Sequence, residues 1–348
     1  MRCVALDRRH GPSFMISAIL RIRFLLAALA VLPLLAGCSP AEPLNLPLTF
    51  QKDIQLPKEA GAPAIDLLTL DSGAGRLYVP HGSVNTLEII DVKSATHIGS
   101  VPNLPGIKAV ALSSDPNIVF TANGTDGSVS VVDVKLLKVV DNIKMGASAD
   151  AIDFDPVSGL ILVSLDSKIL GVIDEKTRKE TGKMTLPGKP ELRAIDKEGL
   201  VYQAINDKDE VLLIDPVARS VVKTYKGCDI KSPTGLAFDA DQQRLFVADA
   251  IPHTANVVSV VDVLVDRCLG TVDVDHSPDQ VAFNPHLHHL YVANAGSNNV
   301  TVIDTVTLKP VGVAGTGKQA ATIAADPATD TVWVAAARSG IIAKYHDP

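Results

Sequence analysis

The sequence predicts an all-β, seven-bladed β-propeller with four antiparallel strands per blade. Three observations predict it: a motif recurring about every 42 residues, four short Val/Ile-rich segments in each recurrence, and a strand that the last repeat lacks but that stands ahead of the first.

The clearest marker is an apolar stretch closed by aspartate: "LEIID" ending at Asp91, "VSVVD" at Asp133, "LGVID" at Asp174, "VLLID" at Asp215, "VSVVD" at Asp262 and "VTVID" at Asp304. Tyr345 fills the seventh slot, and the intervals are 42, 41, 41, 47, 42 and 41. A second segment precedes each marker by about a dozen residues: "LYVPH", "VFTAN", "ILVSL", "VYQAI", "LFVAD", "LYVAN" and "VWVAA". A third lies ahead of that, clearest in "PTGLAFD" and "PDQVAFNP", and a fourth follows, as in "KVVDNIKMG". The segments are short, β-branched and bounded by Gly, Pro, Asn or Asp, with no sustained helical periodicity. Four strands in a repeat of this length build a propeller blade. The extra residues of the long interval, "AIPHT", fall between the second and third strands.

The seventh repeat stops at Pro348, three residues past Tyr345, with no room for a fourth strand. "TFQKDIQLP" at Thr49–Pro57 aligns with "KVVDNIKMG", Ile54 on Ile143 and Leu56 on Met145. An N-terminal strand added to the last blade closes the ring and covers two otherwise open edges.

"LYVANAGSNNVTVIDTVTLKPVG" resembles the YVTN-type repeat of bacterial exported propellers, including YncE-like proteins, and the likeness runs over nearly all of residues 48–348. The Gly-His and Trp-Asp marks of WD40 blades are missing. The resemblance implies an exported propeller and no particular reaction.

Ahead of the propeller, Arg21 and Arg23 precede the apolar run "FLLAALAVLPLLAG", too short and Pro-interrupted for a transmembrane helix. Residues 1–37 read as a lipoprotein signal peptide, with either Met1 or Met15 as its start. "LAGC" resembles the bacterial lipobox, which makes Cys38 the lipidated first residue and 38–47 a short Pro-rich linker. By the same resemblance Ser39 permits outer-membrane sorting, so the expected location is the bacterial cell envelope, lipid-anchored and facing the periplasm.

Residues 1–37 hold five of the 32 Lys+Arg and one of the 39 Asp+Glu, so the remainder carries a formal charge of −11. Such a surface argues against nucleic acid, as does an aromatic content of 4%. "GVAGTGKQ" has the G-x4-G-K spacing of a phosphate loop but lacks the following Ser/Thr and helix. "HLHH" at His286–His289 falls in a tight turn and reads as solvated histidines rather than a metal site. There is no CxxCH, HExxH or GxSxG. The repeated aspartates read as turn caps, since six blades cannot aim them at one substrate.

Cys228 and Cys268 lie 13 and 6 residues beyond their blades' aspartates. Seven strand positions at about 3.3 Å each exceed the reach of a disulfide, so two free thiols are expected.

One place in a propeller gathers residues from every blade: the mouth of the central channel. Aligning the repeats puts Asp66, Lys108, Asp150, Glu191, Thr234, Asp279 and Ala321 at one level there, four of the seven acidic. The loops after the second strands add His81, Asn123, Asp249, His253 and Asn294, and His276 stands just before the channel. The expected function is a non-enzymatic binding or scaffold module for an envelope protein, peptide or small ligand, anchored to the membrane through lipid. The mouth would take a divalent cation or a basic group. The alternatives are a metal-assisted, lactonase-like hydrolase using the same carboxylates, or single-stranded nucleic-acid binding.

Overall fold

The computed structural model describes residues 47–58, 62–250, 256–317 and 319–348. The residues read as a signal peptide (1–37), Cys38, the stretch read as a linker up to residue 46 and His253 lie outside the described residues. Those described form 28 strands in seven four-stranded antiparallel sheets, each with its strands in consecutive order except the last. The innermost strands of successive blades touch one another in a closed cycle.

The exception is the closing blade. Thr49–Gln55 pairs antiparallel with Ile341–His346, Thr49 opposite His346 and Gln55 opposite Ile341. Ile54 and Leu56 are buried beside Trp333, Ile342, Leu77 and Ile90, so the closing strand stitches the seventh blade to the first. Phe50 meets Tyr345 edge-on at 5.7 Å.

The core follows from strand alternation. Side chains on the two faces of each sheet meet the neighbouring blades, so the second and third strands are buried on both sides and read as apolar runs. The buried side chains fall into seven clusters, and each straddles one seam between adjacent blades. A propeller has no central core, and its cohesion is the sum of these seams.

The repeated aspartates do cap turns. Asp91 accepts from the amide of Ser94 at 2.7 Å, Asp174 from Thr177 at 2.7 Å, and Asp304 from Val306 and Thr307 at 2.9 and 2.7 Å. Asp133, Asp215 and Asp262 do the same. A second family caps the first turn of the blades, including Asp71, Asp155, Asp239 and Asp326.

The cysteines overturn the expectation of free thiols: Cys228 and Cys268 form a disulfide, with Cα atoms 5.2 Å apart. The strand count assumed that the chain runs straight past the end of the fourth strand, Ser220–Lys226. Instead Gly227, Cys228 and Asp229 all have positive φ (83°, 53° and 58°), and the chain folds back toward the fifth blade. There the Cys228 Sγ lies 3.3 Å from the Val260 carbonyl, against the third strand of that blade. The bridge therefore staples two blades.

The turn histidines also differ in part from expectation. His286 is exposed beside Asp330, but His289 begins a strand with its Nδ1 2.7 Å from Asp347, a buried carboxylate that also accepts from the Tyr291 hydroxyl.

Candidate functional site

The mouth residues share a backbone peculiarity. In blades two to seven the innermost strand loses register just after its first residue: between Ile107 and Ala109, Ala149 and Ile152, Pro190 and Arg193, Pro233 and Leu236, Pro278 and Val281, Ala320 and Thr322. Lys108, Asp150, Glu191, Thr234, Asp279 and Ala321 each fall inside such a bulge, without a ladder partner. Asp66 sits likewise between the isolated Ile65–His81 bridge and the pairing that starts at Thr69. A bulge re-aims a side chain that a regular strand would hold flat against its neighbour. Inner strands run close here: a Cβ on Gly235 would stand 2.2 Å from the Asp279 carbonyl, so only glycine fits.

The charges at this level sense one another. Lys108 Nζ reaches Asp66 at 3.1 Å, and Lys189 Nζ reaches Glu191 at 2.6 Å. Burial still lifts the Asp66 carboxyl above its usual range, against Lys108 and with help from Asp150. Glu191 is raised by burial against Lys189, with Asp150 and Asp166 adding to the rise. Asp279 is the extreme. Burial, then the charges of Asp66, Glu191 and Asp150, push it up to about 7, with Lys189 opposing. Its carboxyl has no hydrogen-bond or ion-pair partner among the described residues, whereas Asp66 and Glu191 each have a lysine. Five carboxylates, counting Asp166, thus face two ammonium groups.

The structure does not bring the other candidates to this ring. His81 is buried in the first blade with its Nδ1 3.8 Å from Glu88. Burial alone would raise Glu88, but hydrogen bonds from His81, Ser100, Thr86 and His97 hold it at about 2. Asn123 donates to Ser128 and Ser130, and Asn294 to Asn299 and Thr301, all within their own blades. Asp249 accepts from Ser259 at 2.6 Å, and burial lifts it to about 7. These residues tie second strands to third strands. His276 is exposed near the mouth, its ring 3.2 Å from the Asn256 amide.

Below the ring lies a cavity of about 480 Å³ along the channel axis, lined mostly by apolar residues such as Leu67, Ala109, Ile152 and Ile323. One charged pair interrupts it. Arg193, wholly buried, donates through Nη1 to Asp153 at 2.9 Å and to the Leu162 carbonyl at 2.7 Å, through Nε to Gln203 at 3.0 Å, and through Nη2 to Ser164. The surrounding channel wall desolvates Asp153 and raises it to about 6 despite the guanidinium, although 43% of its side chain still opens onto the cavity. Repeat alignment held the signal for this pair. Arg193 occupies a slot that is Ile152, Leu236, Val281 or Ile323 elsewhere, and Asp153 one that is Ala237, Ala282 or Ala324.

No family model matches the chain, and no curated protein matches it. Among solved structures, a chain of Kuenenia stuttgartiensis hydrazine synthase is similar, with a TM-score of 0.73 and 17% identity, covering 82% of this chain and 96% of that chain. At that identity the likeness carries the seven-bladed fold alone.

Proposed function

We propose that this protein is a non-enzymatic binding module of the bacterial cell envelope, held to the membrane through lipid on Cys38. Its acidic mouth takes a basic group presented by a protein, a peptide or a small ligand. One observation carries the reading: Asp279, a half-buried carboxyl without a counter-ion, stands among Asp66, Asp150 and Glu191. Like charges crowded in a low-dielectric mouth are stabilised by an incoming cation and repel phosphate. Among the described residues no three His, Cys, Asp or Glu side chains are grouped to hold a metal ion. That favours an organic cation, such as an amine or guanidinium, over a bare divalent ion. The Cys228–Cys268 bridge supports an oxidising compartment, in keeping with export and the YVTN-type resemblance.

The test is calorimetry of the wild type and the Asp150→Asn/Asp279→Asn double variant with spermidine, an Arg/Lys peptide, Ca²⁺ and Zn²⁺. The expected result is saturable binding of an organic cation, weakened at least tenfold in the folded double variant. No heat from any of these, or equal heats from both proteins, removes the mouth as the site.

A further inference from the structure

The end of the propeller opposite the mouth carries an asymmetry of its own. It is built from the turns between first and second strands and from those between third and fourth strands, the latter following the repeated capping aspartates. At the slot two residues past the capping aspartate, three adjacent blades expose a large apolar side chain: Val217 at 68% in the fourth, Leu264 at 76% (with Val265 at 60% beside it) in the fifth and Val306 at 55% in the sixth. The first three blades have Lys93, Lys135 and Lys176 there, and the second exposes Leu136 one position further on. Each of the same turns also exposes a cation, Arg219, Arg267 or Lys309, a few residues past its capping aspartate, and in the fifth blade the further acid, Asp266, is neutralised by Lys223 at 2.8 Å. Isolated surface valines are ordinary, but the same slot in three neighbouring blades forms an arc.

The chain's own tether arrives beside this arc. Thr49 opens the closing strand opposite His346, and His346 pairs with Thr331, the residue that follows the first turn of the seventh blade. The chain before Thr49 therefore reaches the propeller at the turn end, next to the sixth blade. Leu48 is packed there among Tyr345, Val332 and Tyr291. The ten residues 38–47 span at most about 35 Å even fully extended.

We propose that this arc docks the propeller on the bilayer surface, Val217, Leu264, Val265 and Val306 entering the headgroup boundary and Arg219, Arg267 and Lys309 meeting anionic phospholipid headgroups. Apolar tips flanked by Lys/Arg are the composition of interfacial membrane contacts. Docking this way turns the acidic mouth away from the membrane and open to a ligand. The inference rests on the reading that Cys38 is lipidated, because the tether is what brings this end to the bilayer.

The experiment uses the full, lipid-anchored chain in vesicles of phosphatidylethanolamine and phosphatidylglycerol, with an environment-sensitive fluorophore on Val306→Cys. A matched label goes on Ser167→Cys, an exposed position in a second-to-third-strand turn at the mouth end. The expected result is blue-shifted emission at 306, quenched by brominated lipid, and aqueous emission at 167. Adding Val217→Glu and Leu264→Glu returns the 306 label to aqueous emission while the protein stays with the vesicles. Aqueous emission at both labels in vesicle-bound, acylated protein overturns the docking and leaves the anchor intact. Protein that takes up no fatty-acid probe and stays in the soluble fraction overturns the anchor and the docking together.

Discussion

Arg193 of the fourth blade and Asp153 of the third meet across a seam in the channel wall, Nη1 to Oδ2 at 2.9 Å, with the guanidinium wholly out of water and the carboxylate 43% exposed. The asymmetry of exposure sets an order of costs. Asp153→Ala strands a buried cation and should cost about 3 kcal/mol, whereas Arg193→Met leaves a carboxylate that water can reach but orphans Gln203, Ser164 and the Leu162 carbonyl, and should cost about 2 kcal/mol. The double variant should lose less than the two single losses added together, since once one partner is gone removing the other relieves an unpaired charge. Urea unfolding of the three variants checks this, and additive losses would contradict it.

Removing residues 48–56 should open the seventh blade. Leu48, Ile54 and Leu56 are buried at 3%, 5% and 2% exposure, and the third strand of that blade loses its ladder. Ile54→Ala alone should cost about 2–4 kcal/mol. The truncated chain should aggregate or melt well below the intact protein, because it exposes an unpaired edge next to an uncovered seam. An unchanged melting midpoint would refute the closure.

Reduction of the Cys228–Cys268 bridge, which spans 40 residues, should lower stability by about 3–4 kcal/mol in the chain-entropy picture. Cys228→Ser/Cys268→Ser should show the same loss and no further response to reductant. Alkylation of both Cys228 and Cys268 in the non-reduced protein would contradict the bridge.

Asp279 makes the mouth pH-dependent in a defined direction. Its folded pKa of about 7 stands above the unfolded carboxylate value, so the folded state holds the proton more tightly. Its contribution is fully present below about pH 4 and is lost as pH rises toward 7. Asp279→Asn should therefore stabilise the protein by about 1 kcal/mol at pH 8 and leave it unchanged at pH 4. Cation affinity should rise across the same window, as the carboxyl ionises, and flatten above it. Calorimetry at stepped pH reads both, and an affinity independent of pH would exclude Asp279 from the site.

His289 works in a similar sense. The hydrogen bond to Asp347 raises its pKa against burial. That support is present below the ordinary histidine value and is lost as pH rises through the raised one. Asp347→Asn should weaken the junction between the sixth and seventh blades and abolish the pH dependence, measured by thermal unfolding across pH 5–9.

The blade count, the four segments per blade, the turn-capping role of Asp91 through Asp304 and the closing strand around Ile54 were all legible in the sequence. So was the ring level of Asp66, Lys108, Asp150, Glu191 and Asp279. These are local or periodic properties: apolar alternation and turn chemistry repeat along the chain, so aligning the repeats also aligns positions in space. Tertiary structure decided the rest. It showed that ring residues are bulge residues, that His81 and Asp249 are tied up inside their blades, and that Lys189 and Asp166 join the mouth. It showed Arg193 pairing with Asp153, and it brought Cys228 against Cys268. Each of these depends on contacts across a seam or on a chain reversal at positive φ. Twist and packing between blades set those distances, and no count of residues along a strand contains them.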